Sequence, residues 1–578
     1  MGIRYEIALD EAREHVYRVT LRVDAPAEGP LTVSLPVWIP GSYLVREFAR
    51  HLNGLVAEQH GSALTVTQLD KASWTVAGCR AGQPLALSYR VYAFDNSVRA
   101  AWLDAQRGFF NGTSLCLRVH GAEALPHRLS FSGLPAGWQI ATAAARDGDA
   151  FVAADYDELV DHPFELGTFW EGSFTAGGVP HRIVIAGALP SFDGERLLGD
   201  VQRICETEIA LWGGVVPFEH YTFMLNAVDD GHGGLEHRAS TALIAPRRDL
   251  PRLGQADASD GYVQLLALFS HEYFHSWNVK RLRPAEFARY DYTRENYTEL
   301  LWFFEGFTSY YDELILVRAG LIDEARYLRL LAGHISGVLA TPGRKTQSLA
   351  QSSFDAWTRL YRPDENSPNS TISYYSKGGL LGLALDLRLR EAGIEAGLDA
   401  LMRALWQRSG GGPIGEGDVL AEVGKLAGTA VAQALKDWVH GTDDLPLQTL
   451  LAPLGVQWRQ DRSSVAQRLG LRASESALTG VRVSQVLAGS AAQAAGLSAG
   501  DELLGCNGWR LRRLDDALLT LASDAPAALR LLVSRDQRLV ELNAELPELG
   551  QAAPVLLAVD EKAPESALGR RRAWLSGG

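Results

Sequence analysis

The sequence predicts a multidomain chain: an all-β N-terminal domain, an α+β domain whose second half is mainly helical, and a small, separate C-terminal domain. Three observations predict it. At 578 residues the chain exceeds what one hydrophobic core can serve, so two to four domains are expected. Residues 1–170 alternate apolar and polar side chains at strand period, whereas much of 260–445 carries helical periodicity. Residues 461–546 then shift to an Ala-, Leu- and Gly-rich composition.

The elements follow in order. Tyr17-Arg18-Val19-Thr20-Leu21-Arg22-Val23 and Leu31-Thr32-Val33-Ser34-Leu35 read as strands separated by the turn cluster Ala25-Pro26-Ala27-Glu28-Gly29-Pro30. Residues 171–460 form the second expected domain. Its first strands are His181–Ala186 and Tyr221–Leu225, and Gly410-Gly411-Gly412-Pro413 breaks its helical part. Residues 547–578 remain as a C-terminal extension, either solvated or docked.

Hydrophobic residues make up 47% of the chain and charged residues 21%, the balance of a globular protein. Lys plus Arg is 55 against 69 Asp plus Glu, a net charge of −14. That acidity repels phosphate backbones and anionic lipid, so neither nucleic acid nor membrane is expected as a partner. No window has the apolar length to span a bilayer and no signal peptide is visible, which predicts a cytoplasmic protein unless a leader has been trimmed. Cys79, Cys116, Cys205 and Cys506 are scattered without metal-ligand spacing and read as isolated buried thiols.

The chemistry concentrates in His271-Glu272-Tyr273-Phe274-His275. Histidines at i and i+4 share one helix face and can reach one ion, while the glutamate between them is placed to act as general base. The apolar run Tyr262–Phe269, with Ser259 or Asp260 to cap its start, predicts a buried helix. A catalytic zinc takes three protein ligands and keeps one position open. The third is assigned to Glu305, since a carboxylate inside Leu301-Trp302-Phe303-Phe304-Glu305-Gly306-Phe307 is buried and needs a cation. Pairing of Glu305 with Arg281 or Arg283 is the competing reading. Glu299 is the other candidate ligand, placed earlier on the helix and more exposed. Asp312 stands two turns on, where it would orient a ligating histidine.

Here the chain resembles the gluzincin peptidases, in which a HExxH helix is followed by a Glu-Gly ligand motif. Gly233-Gly234-Leu235-Glu236-His237 resembles the exopeptidase motif Gly-Ala-Met-Glu-Asn of the aminopeptidase N group. The resemblance implies that Gly233, Gly234 and Glu236 bind substrate, with Glu236 on its free α-ammonium; His237 departs from the usual Asn. Tyr374-Tyr375-Ser376-Lys377-Gly378 resembles the Tyr-Glu-Lys-Gly motif, which implies Tyr375 as the catalytic oxyanion donor beside Glu272, with Tyr374 as packing. Pro36-Val37-Trp38-Ile39-Pro40-Gly41-Ser42-Tyr43 and Lys280-Arg281-Leu282-Arg283-Pro284 are similar to the glycyl aminopeptidase family, and the 29 residues between His275 and Glu305 exceed the gap of the aminopeptidase N group.

Gly496-Leu497-Ser498-Ala499-Gly500-Asp501-Glu502-Leu503-Leu504 with Asn507-Gly508 resembles a PDZ domain over 461–546. Its generic role is capture of an extended peptide at a sheet edge, against a structural appendage with a closed groove. The combined resemblance implies an N-terminal β domain, a thermolysin-like catalytic domain and a PDZ domain. It implies an aminopeptidase with one Zn2+ that removes N-terminal Gly or Ala from peptides with a free N-terminus. The turn Phe109-Phe110-Asn111-Gly112 reads either as a hairpin turn or as a contributor to the substrate cleft. A zinc endopeptidase with PDZ-presented substrates and a non-catalytic PDZ binding module are the alternatives.

Overall fold

The computed structural model describes residues 2–476, 478–521, 528–548, 550 and 553–577. They form two compact units, one of residues 1–297 with 406–414 and one of 298–405 with 415–578.

The first unit begins with three β-sheets. The largest has eight strands, with Ile3–Glu11 and Val16–Val23 paired antiparallel at its centre, Tyr5 opposite Leu21 and Ile7 opposite Val19. Tyr17, Val19, Leu21 and Val23 all point into the core, so the alternation read from sequence is a real sheet face. Ile3–Glu11 also pairs parallel with His127–Ser132, a partner more than a hundred positions along that no local pattern announces. Two four-stranded sheets complete this region. Phe109–Gly112 is no hairpin turn: strand Arg107–Phe110 runs straight into the short helix Gly112–Leu115. Fully buried Asn111 donates from Nδ2 to the Val98 carbonyl, 2.9 Å. Its amide serves the core there.

A mixed five-stranded sheet follows, in the order Trp170–Ala176, Val179–Ala186, Tyr221–Val228, Ser240–Pro246, Gly233–Glu236. The three middle strands are parallel and mainly apolar, as strands buried on both faces should be. The edge strand Gly233–Glu236 runs antiparallel to Ser240–Pro246. Helix Asp260–Phe274 lies against these last two strands.

The second unit is mainly helical up to His440. Helix Gly306–Arg318 packs on Ser376–Glu391, and a sheet built on Leu471–Ser476, Gly480–Val486, Glu502–Cys506, Ala528–Arg535 and Arg538–Glu545 stands near its C-terminal end. Leu469, Val481, Leu503, Leu531 and Val533 form that sheet's own core. The C-terminal extension is docked. Val555–Val559 pairs with Val456–Gln460, and in helix Glu565–Ser576 the fully buried Trp574 donates its indole N–H to the Tyr310 hydroxyl, 2.9 Å. All four cysteines are free and buried. Among the described residues no helix is long and apolar enough to cross a membrane.

Candidate active site

The helix that carries His271 starts where Ser259 Oγ accepts from the Tyr262 amide, 3.1 Å, so Ser259 rather than Asp260 is the cap. Tyr262 donates from its hydroxyl to Asp200 (2.7 Å) and Ser270 to Glu208 (2.9 Å), and Tyr273 turns away from the motif to meet His181 Nε2 at 2.8 Å. One side of the helix is thereby fixed. The opposite side presents His271 and His275.

Their Nε2 atoms stand 3.1 Å apart with the ring planes at 84°. Two nitrogens bound tetrahedrally to zinc at ~2.0–2.1 Å would stand ~3.3 Å apart, so this is the spacing of two ligands on one ion. His275 Nδ1 is 2.7 Å from the Asn278 carbonyl, which can only accept, so Nδ1 donates there and Nε2 is the atom that could ligate a metal ion. The turn that brings this carbonyl round holds Val279 at φ 129°, a region branched residues avoid. Backbone strain is thus stored one residue beyond the group that orients His275.

Glu272 is 5% exposed and lies against the edge strand. A Cβ at Gly234 would fall 2.1 Å from its Oε1, so any side chain there would displace this carboxylate. Gly233 and Gly234 form a strand edge, and Arg99 donates to the Gly234 carbonyl at 3.2 Å. At the end of the same strand Glu236 is 4% exposed, and its carboxylate touches the backbone of Gly41 from the N-terminal β region. Behind it lies a buried ion pair that sequence reasoning missed: Lys280 Nζ to Asp161 Oδ1, 2.7 Å. Asp161 also accepts from the Arg238 amide at 2.9 Å and faces His237 Nδ1 at 3.4 Å. Burial lowers the His237 pKa more than Asp161 raises it, so His237 fills the place of the usual Asn as a neutral imidazole. Lys280 belongs to a motif singled out in the sequence, but nothing near Asp161 marked it as the partner.

In the second unit Glu305 is 2% exposed, at the break between helices Leu301–Phe304 and Gly306–Arg318. Glu299 precedes both helices and is exposed, not on the helix as expected. A Cβ at Gly306 would fall 2.6 Å from the Gly378 Cα, and one at Gly378 would fall 2.9 Å from the Gly306 Cα. The Glu-Gly and Lys-Gly motifs thus cross backbone to backbone, which sets Tyr375 beside Glu305. Burial first, then the Glu305 charge, hold the Tyr375 phenol well above its usual pKa, so it stays a proton donor. Its hydroxyl lies 3.1 Å from that of Tyr361. Tyr374, wholly buried, stacks on Tyr375 with centroids 4.7 Å apart, the packing role expected of it.

The M61 glycyl aminopeptidase model matches residues 264–381, its N-terminal-domain model 4–168, and a PDZ domain model 457–533. A solved aminopeptidase N family protein from Idiomarina loihiensis is 36% identical, with TM-score 0.92 over 99% of this chain and 100% of its own. The chain belongs to the M61 glycyl aminopeptidase family. It is an aminopeptidase, a hydrolase of peptide bonds, with a C-terminal PDZ domain. An M1 zinc metallopeptidase from Deinococcus radiodurans is also similar, at 17% identity and TM-score 0.47 over 77% of this chain and 95% of its own. No curated protein matches.

Proposed function

We propose that the enzyme removes N-terminal residues, Gly or Ala by preference, from peptides with a free α-amine, with His271, His275 and Glu305 holding one zinc ion. Two imidazoles and a carboxylate are a donor set that fits zinc. The observation that carries the reading is the pair of Nε2 atoms at 3.1 Å on a helix whose Glu272 is pressed to the Gly234 strand. When bound, zinc supplies Lewis-acid polarisation of the scissile carbonyl and makes water a better nucleophile. Glu272 takes the proton from the attacking water and passes it to the leaving amine. Tyr375, kept protonated, donates to the developing oxyanion. Glu236 holds the substrate ammonium, so that only the first peptide bond reaches the catalytic groups. Asp312 orients a ligating histidine.

The same reading gives domains at 1–170, 171–460 and 461–546, with an extension to 578. Among the described residues the PDZ edge strand Leu471–Ser476 pairs on one side only, with Gly480–Val486, which supports peptide addition at its other edge.

Replacing Glu272 by Gln should leave zinc content unchanged by atomic absorption and cut kcat roughly 10²–10⁴-fold on alanine anilide. Full activity in that variant rules out the base assignment. An N-acetylated peptide should not be cleaved; cleavage at the rate of the free peptide would make the enzyme an endopeptidase.

A further inference from the structure

The catalytic reading leaves one buried cation of the second unit without a task. Lys377 is 1% exposed, and its Nζ donates to the Arg344 carbonyl across 3.5 Å, the outer limit of a hydrogen bond. Its side chain lines a cavity of about 280 Å³, the space of roughly nine waters at ~30 Å³ each. Most of the remaining wall is apolar, supplied by Ile335, Val338, Leu339, Leu445, Leu447 and Trp458.

The acid in this wall, Asp444, is already committed. It accepts from Arg344 Nε at 2.8 Å and lies 3.0 Å from Lys345 Nζ. Three cations therefore gather here, and the carboxylate they share is taken by the two nearer the surface. Burial is the main force lowering the Lys377 pKa, to about 8; Asp444 and Asp443 oppose it, and Lys345 and Arg344 add to it. A buried ammonium so placed gains from any anion that can enter with it. A hydrated inorganic anion would leave the apolar walls bare, whereas an organic acid satisfies both the charge and the walls.

We propose that this cavity binds a small monocarboxylate with a short aliphatic body, its head on the Lys377 ammonium and its tail between Val338, Leu447 and Trp458. Leu380, one turn along the helix from Lys377, lines this cavity and also a second one of about 140 Å³ that Tyr375 borders. The site thus shares a wall with the surroundings of the oxyanion donor. The proposal stands without the zinc assignment.

Titration calorimetry on the full-length protein tests it. Hexanoate stands for a free aliphatic acid and N-acetylleucine for the acid end of a peptide; saturable binding of either supports the site, and the tighter one names its source. Hexanol and hexylamine, equal in apolar bulk, should bind roughly tenfold more weakly or worse. Lys377→Met should lose binding by a similar factor. Thr449→Trp, at the exposed rim, should block entry with the fold intact. Hexanol binding as well as hexanoate, unchanged binding in Thr449→Trp, or no saturable heat from either acid up to millimolar concentration would overturn the proposal.

Discussion

Gly41 stands so close to Glu236 that a Cβ on it would lie 2.5 Å from both carboxylate oxygens. Gly41 sits at φ +91°, in backbone space that side chains resist, within the Pro36–Tyr43 stretch that resembles the glycyl aminopeptidase family. The loop and the strand-end glutamate define each other's positions. Gly41→Ala should therefore push the Glu236 carboxylate aside and raise KM for alanine anilide at least about tenfold, with kcat affected less. Gly54→Ala is the control, since Gly54 has φ +66° but nothing within 4 Å of the added Cβ. If both variants keep wild-type KM, Glu236 does not hold the amine.

The crossing of Gly306 on Gly378 allows a second test. Gly306→Ala forces the two helices apart, at a cost of about 1–3 kcal/mol by analogy with overpacked cores. It should also lower kcat on the order of 10²-fold, because Glu305 and Tyr375 ride on the helices that separate. Gly379→Ala, whose Cβ would come no nearer than 3.4 Å to any neighbour, should be tolerated. Denaturant melts and steady-state rates on the two variants check this.

The Lys280–Asp161 pair gives a pH dependence. Burial pushes the Asp161 carboxyl up, but the Lys280 ammonium, with His237 and Arg238, outweighs it and holds the carboxyl well below the usual range. Burial likewise pushes Lys280 down, and Asp161 outweighs that to hold it above its ordinary value. The Asp161 contribution is present above the unfolded pKa of ~3.9 and lost as pH falls through the lower folded value. The Lys280 contribution is present below ~10.4 and lost as pH rises through the higher folded value. Asp161→Asn should therefore destabilise the fold by ~3–5 kcal/mol at neutral pH, with the gap to wild type closing below pH ~4. The double variant Asp161→Leu with Lys280→Met should recover most of that loss, since no charge is then left unpaired. Urea melts from pH 3 to 9 measure both (pH limits about those the chain should tolerate).

Metal removal bears on the family chemistry directly. Dialysis against 1,10-phenanthroline should abolish anilide hydrolysis, and zinc addition should restore it. Activity that survives with no bound metal detectable would contradict the zinc requirement.

By itself the sequence determined what is local or chemically rare. The strand and helix periods, the HExxH spacing, the aromatic run that buries Glu305, and the Glu-Gly and Lys-Gly pairs are all short-range patterns. Each reflects a side-chain repeat or a donor type that few other arrangements require. Only the tertiary structure decided what depends on distant segments meeting: Asp161 against Lys280, Gly41 against Glu236, Gly306 against Gly378, Ile3–Glu11 beside His127–Ser132. A buried carboxylate and a glycine look the same in sequence whether or not a partner faces them. What gives them meaning is the desolvation and close contact that exist once the chain has folded.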